Sequence, residues 1–227
     1  MPVSKEYVVL LHGLARTDSS MKKLAKYLED LDYCVINHYY PSTTDTVESL
    51  AQSEIPKALF QCPKDVRIHF VTHSMGAILL RYYLSQNSIE NLGRVVMLGP
   101  PNKGSQVVDK LGRVPGFKLL NGPAGMQLGT TIESLPITLP PANFDLGVIA
   151  GTKSINLLLS LILPRPNDGK VSVENTKVVG MSDHLVLPVT HTFMMNNDKV
   201  ISEVVNFLQE GSFSEPLIAC RVKQLIE

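Results

Sequence analysis

The chain changes from a strand pattern to a helix pattern within Val66–Gly76 (VRIHFVTHSMG). The β-branched run Val66–Val71 predicts a buried strand, and the apolar residues from Met75 to about Leu84 predict a helix. THSMG lies between them, so the chain must reverse within a few residues. Such a turn lifts a serine hydroxyl out of the sheet and aims the amino end of the helix at it, which is the context of a nucleophile elbow. Ser74 is therefore the candidate nucleophile.

The residues around this serine fit the turn on one side better than on the other. Gly76 and Ala77 are small, as is needed where a helix passes close to a strand. Thr72 stands where the G-x-S-x-G pattern has its first glycine, so the match to that pattern is incomplete.

Short β-branched runs alternate with amphipathic segments along the rest of the chain. The runs predict further strands at Tyr7–Leu11, Tyr33–Tyr39, Arg94–Leu98, Phe144–Ala150 and Lys177–Val179. Helical spacing predicts a helix capped by Asp18 or Ser19, with Met21, Leu24, Ala25 and Leu28 on one face, and another at Thr46–Leu59. It also predicts a last helix, capped within Asn196–Asp198, with Val200, Ile201, Val204, Val205 and Leu208 on one face. The alternation indicates an α/β protein: a three-layer αβα sandwich around a mostly parallel sheet.

The length of 227 residues suits one α/β domain, and we expect residues 1–227 to form it. The segment 102–141 is rich in glycine and proline and has no clean period. We expect it to be a long loop that leaves the sheet and not a second domain. Long loops of this kind tend to be functional, and covering a site is one such function.

The composition excludes several classes of protein. Lys and Arg total 21, and Asp and Glu total 21, so the net charge is zero. This balance argues against a nucleic-acid binder, which normally has a basic excess. The three cysteines, Cys34, Cys62 and Cys220, include no C-x-x-C pair, so neither a disulfide framework nor a zinc knuckle is indicated.

The start of the chain shows no secretory signal, and Ile155–Leu163 (INLLLSLIL) is too short to span a bilayer. We therefore expect a cytoplasmic protein without a transmembrane segment. A leader already removed from the sequence would leave no trace in it.

A second motif follows the first predicted strand: Leu11–Arg16 (LHGLAR). Acyl transfer needs two backbone N–H groups aimed at the oxygen that becomes negative. Gly13 lets the chain bend so that the next amide points inward. Leu14 N–H and Met75 N–H are the natural pair for this oxyanion hole, the second one also at a helix amino terminus.

LLHGLAR, then VTHSMGA after a strand, then LGPPNKGS together resemble the lid-poor lipase and esterase branch of the α/β-hydrolase superfamily. Small bacterial triacylglycerol lipases and acetyltransferase or hydrolase proteins with this fold are neighbours of that branch. The resemblance runs from Tyr7 to Leu208 and implies about six strands and the chain order Ser, Asp, His.

The resemblance points to an acid and a histidine. PNDGKV contains Asp168, which resembles the acid of the family's NDG-x-V loop; Asp183 and Asp145 are the alternatives. His191 precedes the last helix, where similar lipases place the catalytic histidine, and His184 is the second candidate.

We expect the remaining histidines to support the two turns or to stabilise the fold, not to react. His12, Gly13, His73 and Gly76 flank the two turns and are expected to support them, and His184 is expected in a loop or in a supporting contact. His38 and His69 lie on strands and are expected to be structural. We expect no metal and no cofactor, because the histidines are scattered and no phosphate loop is present.

The sequence thus predicts a serine hydrolase that cleaves carboxylic esters, an esterase or lipase acting on a small acyl ester or a lipid. A thioesterase, an acyltransferase or a lipid deacylase would use the same triad, and an inactive binding protein on the same fold is a further alternative. Ile155–Leu163 with Leu135, Ile137 and Leu139 are expected either to line an acyl pocket or to belong to the core.

Overall fold

The computed structural model describes residues 5–155 and 160–214. The six strands among them are β1 (Tyr7–Leu11), β2 (Cys34–His38), β3 (Ile68–His73), β4 (Leu92–Leu98), β5 (Leu146–Lys153) and β6 (Asp183–Thr190). The first five helices are α1 (Lys22–Glu29), α2 (Val47–Leu59), α3 (Met75–Gln86), α4 (Gln106–Leu111) and α5 (Phe117–Met126). They are followed by α6 (Leu135–Thr138), α7 (Val173–Thr176) and α8 (Asp198–Glu210), and 3₁₀ turns lie at Asp18–Met21 and His191–Asn196.

The strands form one sheet in the order β2-β1-β3-β4-β5-β6, and every pair is parallel. The predicted parallel sheet of about six strands is confirmed. Because the strands are parallel, all their carboxyl ends meet at one edge of the sheet, where open α/β folds place their sites.

Both faces of the sheet are covered, which explains the nearly continuous apolar runs in the strands. In β1, Val9 and Leu11 belong to a core shared with α2 and α3, whereas Val8 and Leu10 belong to a core shared with α1 and α8. Successive side chains of a strand point to opposite faces, so one run of sequence fills two cores.

Most predicted elements are found within two or three residues of their expected bounds. Thr46 caps α2 by accepting a hydrogen bond from Ser49 N, and Asn197 caps α8 by accepting from Lys199 N and Val200 N. Pro56 does not end α2, which continues to Leu59.

The predicted strand at Lys177–Val179 is wrong. That segment leads from α7 into a turn at Gly180 (φ 91°), and the last strand is β6. β6 was missed because it begins with Asp183 and contains Pro188. Proline is tolerated on an edge strand, where one row of backbone amides has no partner in the sheet.

The segment 102–141 is more ordered than the expected loop, since it contains α4, α5 and α6. Glycine and proline break it into short pieces that lack a clear period. α5, for example, is kinked at Gly122 (φ 64°), immediately before Pro123. None of the helices in residues 5–155 and 160–214 is long and apolar enough to cross a membrane.

Glu203 connects α8 to the chain that follows it. The side chain is fully buried and accepts hydrogen bonds from Ser214 N (2.8 Å) and Ser214 Oγ (2.6 Å), and Lys199 Nζ lies 3.0 Å away. Burial raises the pKa of this carboxyl, but the hydrogen bonds from Ser214 and Lys199 outweigh it and bring the pKa below its ordinary value. The ionised form is therefore the one that stabilises the fold.

We expect Glu203→Gln to lower the free energy of unfolding by about 2 kcal/mol at pH 7, because charge-assisted hydrogen bonds are lost. A lowered pKa contributes stability above the unfolded-state pKa, and this contribution disappears as the pH falls through the folded-state value. The difference in the free energy of unfolding between Glu203→Gln and the native protein should therefore shrink below about pH 4. Urea unfolding between pH 3 and 7 measures it, with exposed Glu210→Gln as the control. A difference that does not change with pH would contradict the assignment.

Candidate active site

Ser74 makes the whole reversal from β3 to α3. Its N–H donates to Leu98 O (2.9 Å), which continues the ladder between β3 and β4, and its carbonyl accepts from Ala77 N (3.0 Å) in the first turn of α3. Ser74 joins the two elements with φ 53° and ψ −119°, whereas the residues that cap α2, α4 and α8 have ordinary extended backbones. The tight turn forms although Thr72 precedes it; the Thr72 side chain is buried on β3, and its hydroxyl has no partner among the described residues.

Ser74, His191 and Asp168 form a continuous hydrogen-bond path. Ser74 Oγ lies 3.0 Å from His191 Nε2, and His191 Nδ1 lies 2.7 Å from Asp168 Oδ2. The carboxylate accepts from Nδ1–H, so this tautomer leaves the Nε2 lone pair free to accept the serine proton. Such a path is the arrangement by which an imidazole removes a proton from a hydroxyl.

A short hairpin-like loop holds Asp168 in place. Asp168 Oδ1 accepts from Lys170 N (2.9 Å) and Val171 N (2.8 Å), and the Asp168 carbonyl accepts from His191 N (3.2 Å). Asn167 strengthens the turn by accepting from Gly169 N (3.0 Å). The Asp168 side chain is completely buried, and both of its oxygens are used.

Glycines allow the segments of the site to approach one another. A Cβ on Gly76 would lie 2.6 Å from Leu11 O, and one on Gly13 would lie 2.8 Å from His73 Nδ1. Gly99 follows β4 with φ 55°, and a Cβ there would lie 3.0 Å from His191 Nδ1 and 3.1 Å from Asp168 Oδ2. Gly99 was not predicted as a site residue, although it lies within the quoted LGPPNKGS motif.

His12 and His73 lie behind the two turns. His12 Nδ1–H donates to Gly13 O (2.9 Å), and its ring stacks on Tyr40 at 4.1 Å. His73 Nε2–H donates to the His191 carbonyl (3.0 Å). Burial lowers the pKa of His12 and lowers that of His73 well below its usual value, so both rings are neutral at pH 7.

The backbone amides of Leu14 and Met75 follow β1 and Ser74 respectively. Within the described part of the chain, neither N–H donates a hydrogen bond to protein. The neighbouring Ala15 N donates to Ser42 Oγ (3.0 Å), which anchors the loop after Leu14. Ser42 and Tyr40 therefore help to hold this turn, and no local motif in the sequence marks them.

A cleft of about 340 Å³ opens beside Ser74 and His191. The segment 102–141 forms much of its apolar wall through Val107, Val108, Phe117 and Leu128. Leu135, Ile137 and Leu139 do not line this cleft, and Leu135 and Leu139 pack against the core around α2 and α3, which is the second of the two alternatives expected for them. Of the expected Ile155–Leu163 wall, residues 156–159 lie outside the described residues, and the others do not line this cleft.

The alternative site residues lie elsewhere. His184 is on β6, not in a loop, and hydrogen-bonds to Thr176 Oγ1 (2.9 Å); it is seven strand residues, roughly 20 Å, from His191. Burial lowers its pKa to about 4. Asp183 accepts from Phe213 N (2.9 Å), and Asp145 pairs with Arg94 (3.1 Å). Neither carboxylate contacts His191.

The other strand histidines have carboxylate partners. His38 lies 3.2 Å from Glu54, and His69 lies 3.1 Å from Glu6. Residues 5–155 and 160–214 contain no group of three His, Cys, Asp or Glu side chains that could hold a metal ion.

The backbone of Ser74 leads to a stability prediction. A non-glycine residue in such a conformation costs about 1–3 kcal/mol, and glycine relieves this strain at about 0.5–1 kcal/mol of extra chain entropy. Ser74→Gly should therefore be more stable than Ser74→Ala by about 1 kcal/mol, a rise in Tm of about 2–4 °C. Both variants lack the hydroxyl, so thermal unfolding of the pair isolates the backbone. Equal Tm values would contradict the strain.

Neither a protein-family model nor a curated protein matches the sequence. The lipase BlEst2 of Bacillus licheniformis in its propeptide form matches the structure with a TM-score of 0.71 at 19% identity, over 96% of this chain and 54% of that one. Its mature form matches with a TM-score of 0.64 at 20% identity, over 91% of both chains. The phospholipase PlaB of Legionella pneumophila matches with a TM-score of 0.63 at 17% identity, over 89% of this chain and 57% of that one.

This chain therefore spans nearly all of mature BlEst2 but only about half of the propeptide form and of PlaB. At such low identity the likeness concerns the fold. With six parallel strands, helices on both faces and these structural neighbours, the chain has the α/β-hydrolase fold.

Proposed function

We propose that this protein is a serine hydrolase that cleaves carboxylic esters, with Ser74 as the nucleophile. The observation that carries the proposal is the hydrogen-bond path from Ser74 Oγ through His191 to Asp168, next to an open cleft. The strained backbone of Ser74, which lines that cleft, adds support, because strain of this kind clusters at functional sites.

In the first half of the reaction, His191 Nε2 accepts the Ser74 proton as Oγ attacks the ester carbonyl. Asp168 keeps the imidazole in the required tautomer and stabilises the imidazolium that forms. The negative oxygen of the tetrahedral intermediate takes hydrogen bonds from Leu14 N–H and Met75 N–H. His191 then gives its proton to the alcohol as the C–O bond breaks, leaving Ser74 acylated.

In the second half, water takes the place of the alcohol. His191 accepts a proton from the water as it attacks the acyl carbon, and it returns that proton to Ser74 Oγ as the acid leaves. Gly99 and Gly13 let the reacting groups approach, and His73 fixes the backbone of His191 through its carbonyl. His73 is neutral because burial lowers its pKa, so it adds no charge beside the imidazolium.

Lipases and a phospholipase among the structural neighbours also support an ester substrate. A thioester substrate, or an acyl acceptor other than water, would use the same steps. Hydrolysis of matched oxygen esters and thioesters in water, with and without added alcohols, separates these reactions by their products.

Replacing the nucleophile tests the proposal directly. Ser74→Ala should lower kcat for p-nitrophenyl esters by at least about 10³-fold, because the acyl-enzyme cannot form. Labelling by a fluorophosphonate probe should also disappear, since only an activated serine reacts with it. The exposed Ser88→Ala is the matched control and should keep both properties. Unchanged hydrolysis in Ser74→Ala, or no labelling of the native protein, would contradict the proposed function.

A second candidate, hydrolysis of aggregated lipid, is favoured by the outer surface of α5. Leu119 is 88% exposed and Leu120 is 72% exposed, and Phe117 on the same helix lines the cleft. Lys110, Arg113 and Lys118 lie nearby in sequence, and residues 110–132 contain no acidic residue. An exposed apolar patch with basic neighbours suits the surface of a lipid assembly.

Removing this patch should affect aggregated substrates selectively. Changing Leu119 and Leu120 to Gln should reduce hydrolysis of emulsified triacylglycerol about tenfold or more, because roughly two leucines of interfacial burial are lost. Soluble p-nitrophenyl butyrate measured in parallel serves as the internal reference. The same substitutions at exposed Leu31 and Leu161 provide the matched control. An equal loss on both substrates would contradict a role at the lipid surface.

A further inference from the structure

Two cations line the cleft beside Ser74, and the mechanism above uses neither. Arg16 follows the turn of Leu14, and Lys170 follows Asp168 in the loop after β5. The described residues that line this cleft include no aspartate or glutamate. The chain as a whole has equal numbers of basic and acidic residues, 21 of each. The described residues that line this cleft nevertheless carry two positive charges and no negative charge.

Neither cation has a partner among the described residues. No ion pair or side-chain hydrogen bond joins Arg16 or Lys170 to residues 5–155 and 160–214, although Lys103, Arg94 and others on the surface are paired. Partial desolvation and the positive charge of Arg16 lower the pKa of the Lys170 amine, so the two groups repel each other. Two like charges held together beside a cleft favour an anion between them.

Asp168 forms no ion pair with Lys170, although its negative charge offsets part of the lowering of that amine's pKa. Its Oδ2 accepts from His191 Nδ1, its Oδ1 accepts from two backbone amides, and its side chain is fully buried. The carboxylate is therefore committed to the histidine and to its own loop. The two cations remain available to a ligand in the cleft.

We infer that the cleft selects esters that carry an anionic group, a carboxylate or a phosphate, which Arg16 and Lys170 bind while the carbonyl lies at Ser74. The apolar part of the same substrate packs against Val107, Phe117 and Leu128. This inference rests on the proposed function and adds a substrate class to it. A guanidinium binds carboxylate or phosphate oxygens in a bidentate manner, and an ammonium adds a point charge, so this pair suits either anion.

Two matched substrate pairs test the inference and locate the charge. The first pair is p-nitrophenyl hexanoate and mono-p-nitrophenyl adipate, which differ by a carboxylate at the end of the acyl chain. The second pair is 1-octanoylglycerol and its 3-phosphate, which differ on the alcohol side. We expect kcat/KM to be at least tenfold higher for the anionic member of one pair, and this preference to weaken as salt is added.

Variants identify the side chains that produce the preference. Arg16→Gln and Lys170→Gln should each lower the ratio of anionic to neutral kcat/KM about tenfold, because each removes one charged contact. Arg16→Lys and Lys170→Arg, which keep the positive charge, should retain most of the native ratio of anionic to neutral kcat/KM. Lys64→Gln, which removes an exposed charge outside the cleft, should leave the ratio unchanged. Fluorophosphonate labelling and Tm verify that each variant is folded.

The outcomes separate this inference from the function on which it rests. Equal hydrolysis of both members in both pairs, by an enzyme that labels at Ser74, overturns the anionic selectivity and leaves the esterase in place. A preference that survives in Arg16→Gln/Lys170→Gln also overturns it. A protein that neither labels nor hydrolyses any of the four esters overturns the proposed function. In that case, tighter binding of the octanoylglycerol phosphate than of octanoylglycerol to Ser74→Ala, measured by calorimetry, would still support the anion site.

Discussion

The backbone reversal at Ser74 is the constraint on which the rest of this site depends. The residue completes the hydrogen-bond ladder of β3 through its N–H and starts α3 through its carbonyl. Ser74 does both with a positive φ of 53°, a backbone conformation that residues with a side chain rarely adopt. The surrounding packing holds this strain, including the close passage of Gly76 beside Leu11 O.

The parallel sheet then brings the other groups to this serine. The turn that carries Leu14 follows β1, Gly99 follows β4, Asp168 lies in the loop after β5, and His191 follows β6. Because the carboxyl ends of parallel strands lie at the same end of the sheet, Ser74 and His191, which are 117 positions apart, meet within hydrogen-bond distance. The catalytic roles proposed for Ser74, His191 and Asp168 depend on this meeting, on the amides of Leu14 and Met75, and on the cleft that opens beside them.

The segment 102–141 is part of the fold and also forms one wall of the cleft. Residues 102–141 leave the sheet after β4 and return before β5, and their short helices supply apolar contacts to the cleft. Arg16 and Lys170 add positive charge to the lining of the cleft. Arg16 lies in the loop that carries the proposed oxyanion amide of Leu14, and Lys170 lies in the loop that carries the proposed acid, Asp168. Apolar and cationic lining around one serine is the basis of the substrate class inferred here.

The sequence by itself determined the strand-turn-helix unit at Ser74, the parallel α/β architecture and the cap of α8, because each depends on neighbouring residues and their period. Family resemblance and chain order predict Asp168 and His191, but only the tertiary structure brings the two side chains together. Tertiary structure alone decided that β6, not Lys177–Val179, is the last strand. Because β6 is the outermost strand of the sheet, it tolerates Pro188. Tertiary structure also decided which apolar residues line the cleft and that Arg16 approaches Lys170. Arg16 and Lys170 are 154 positions apart, and the proximity of such distant residues produces no local pattern in a sequence.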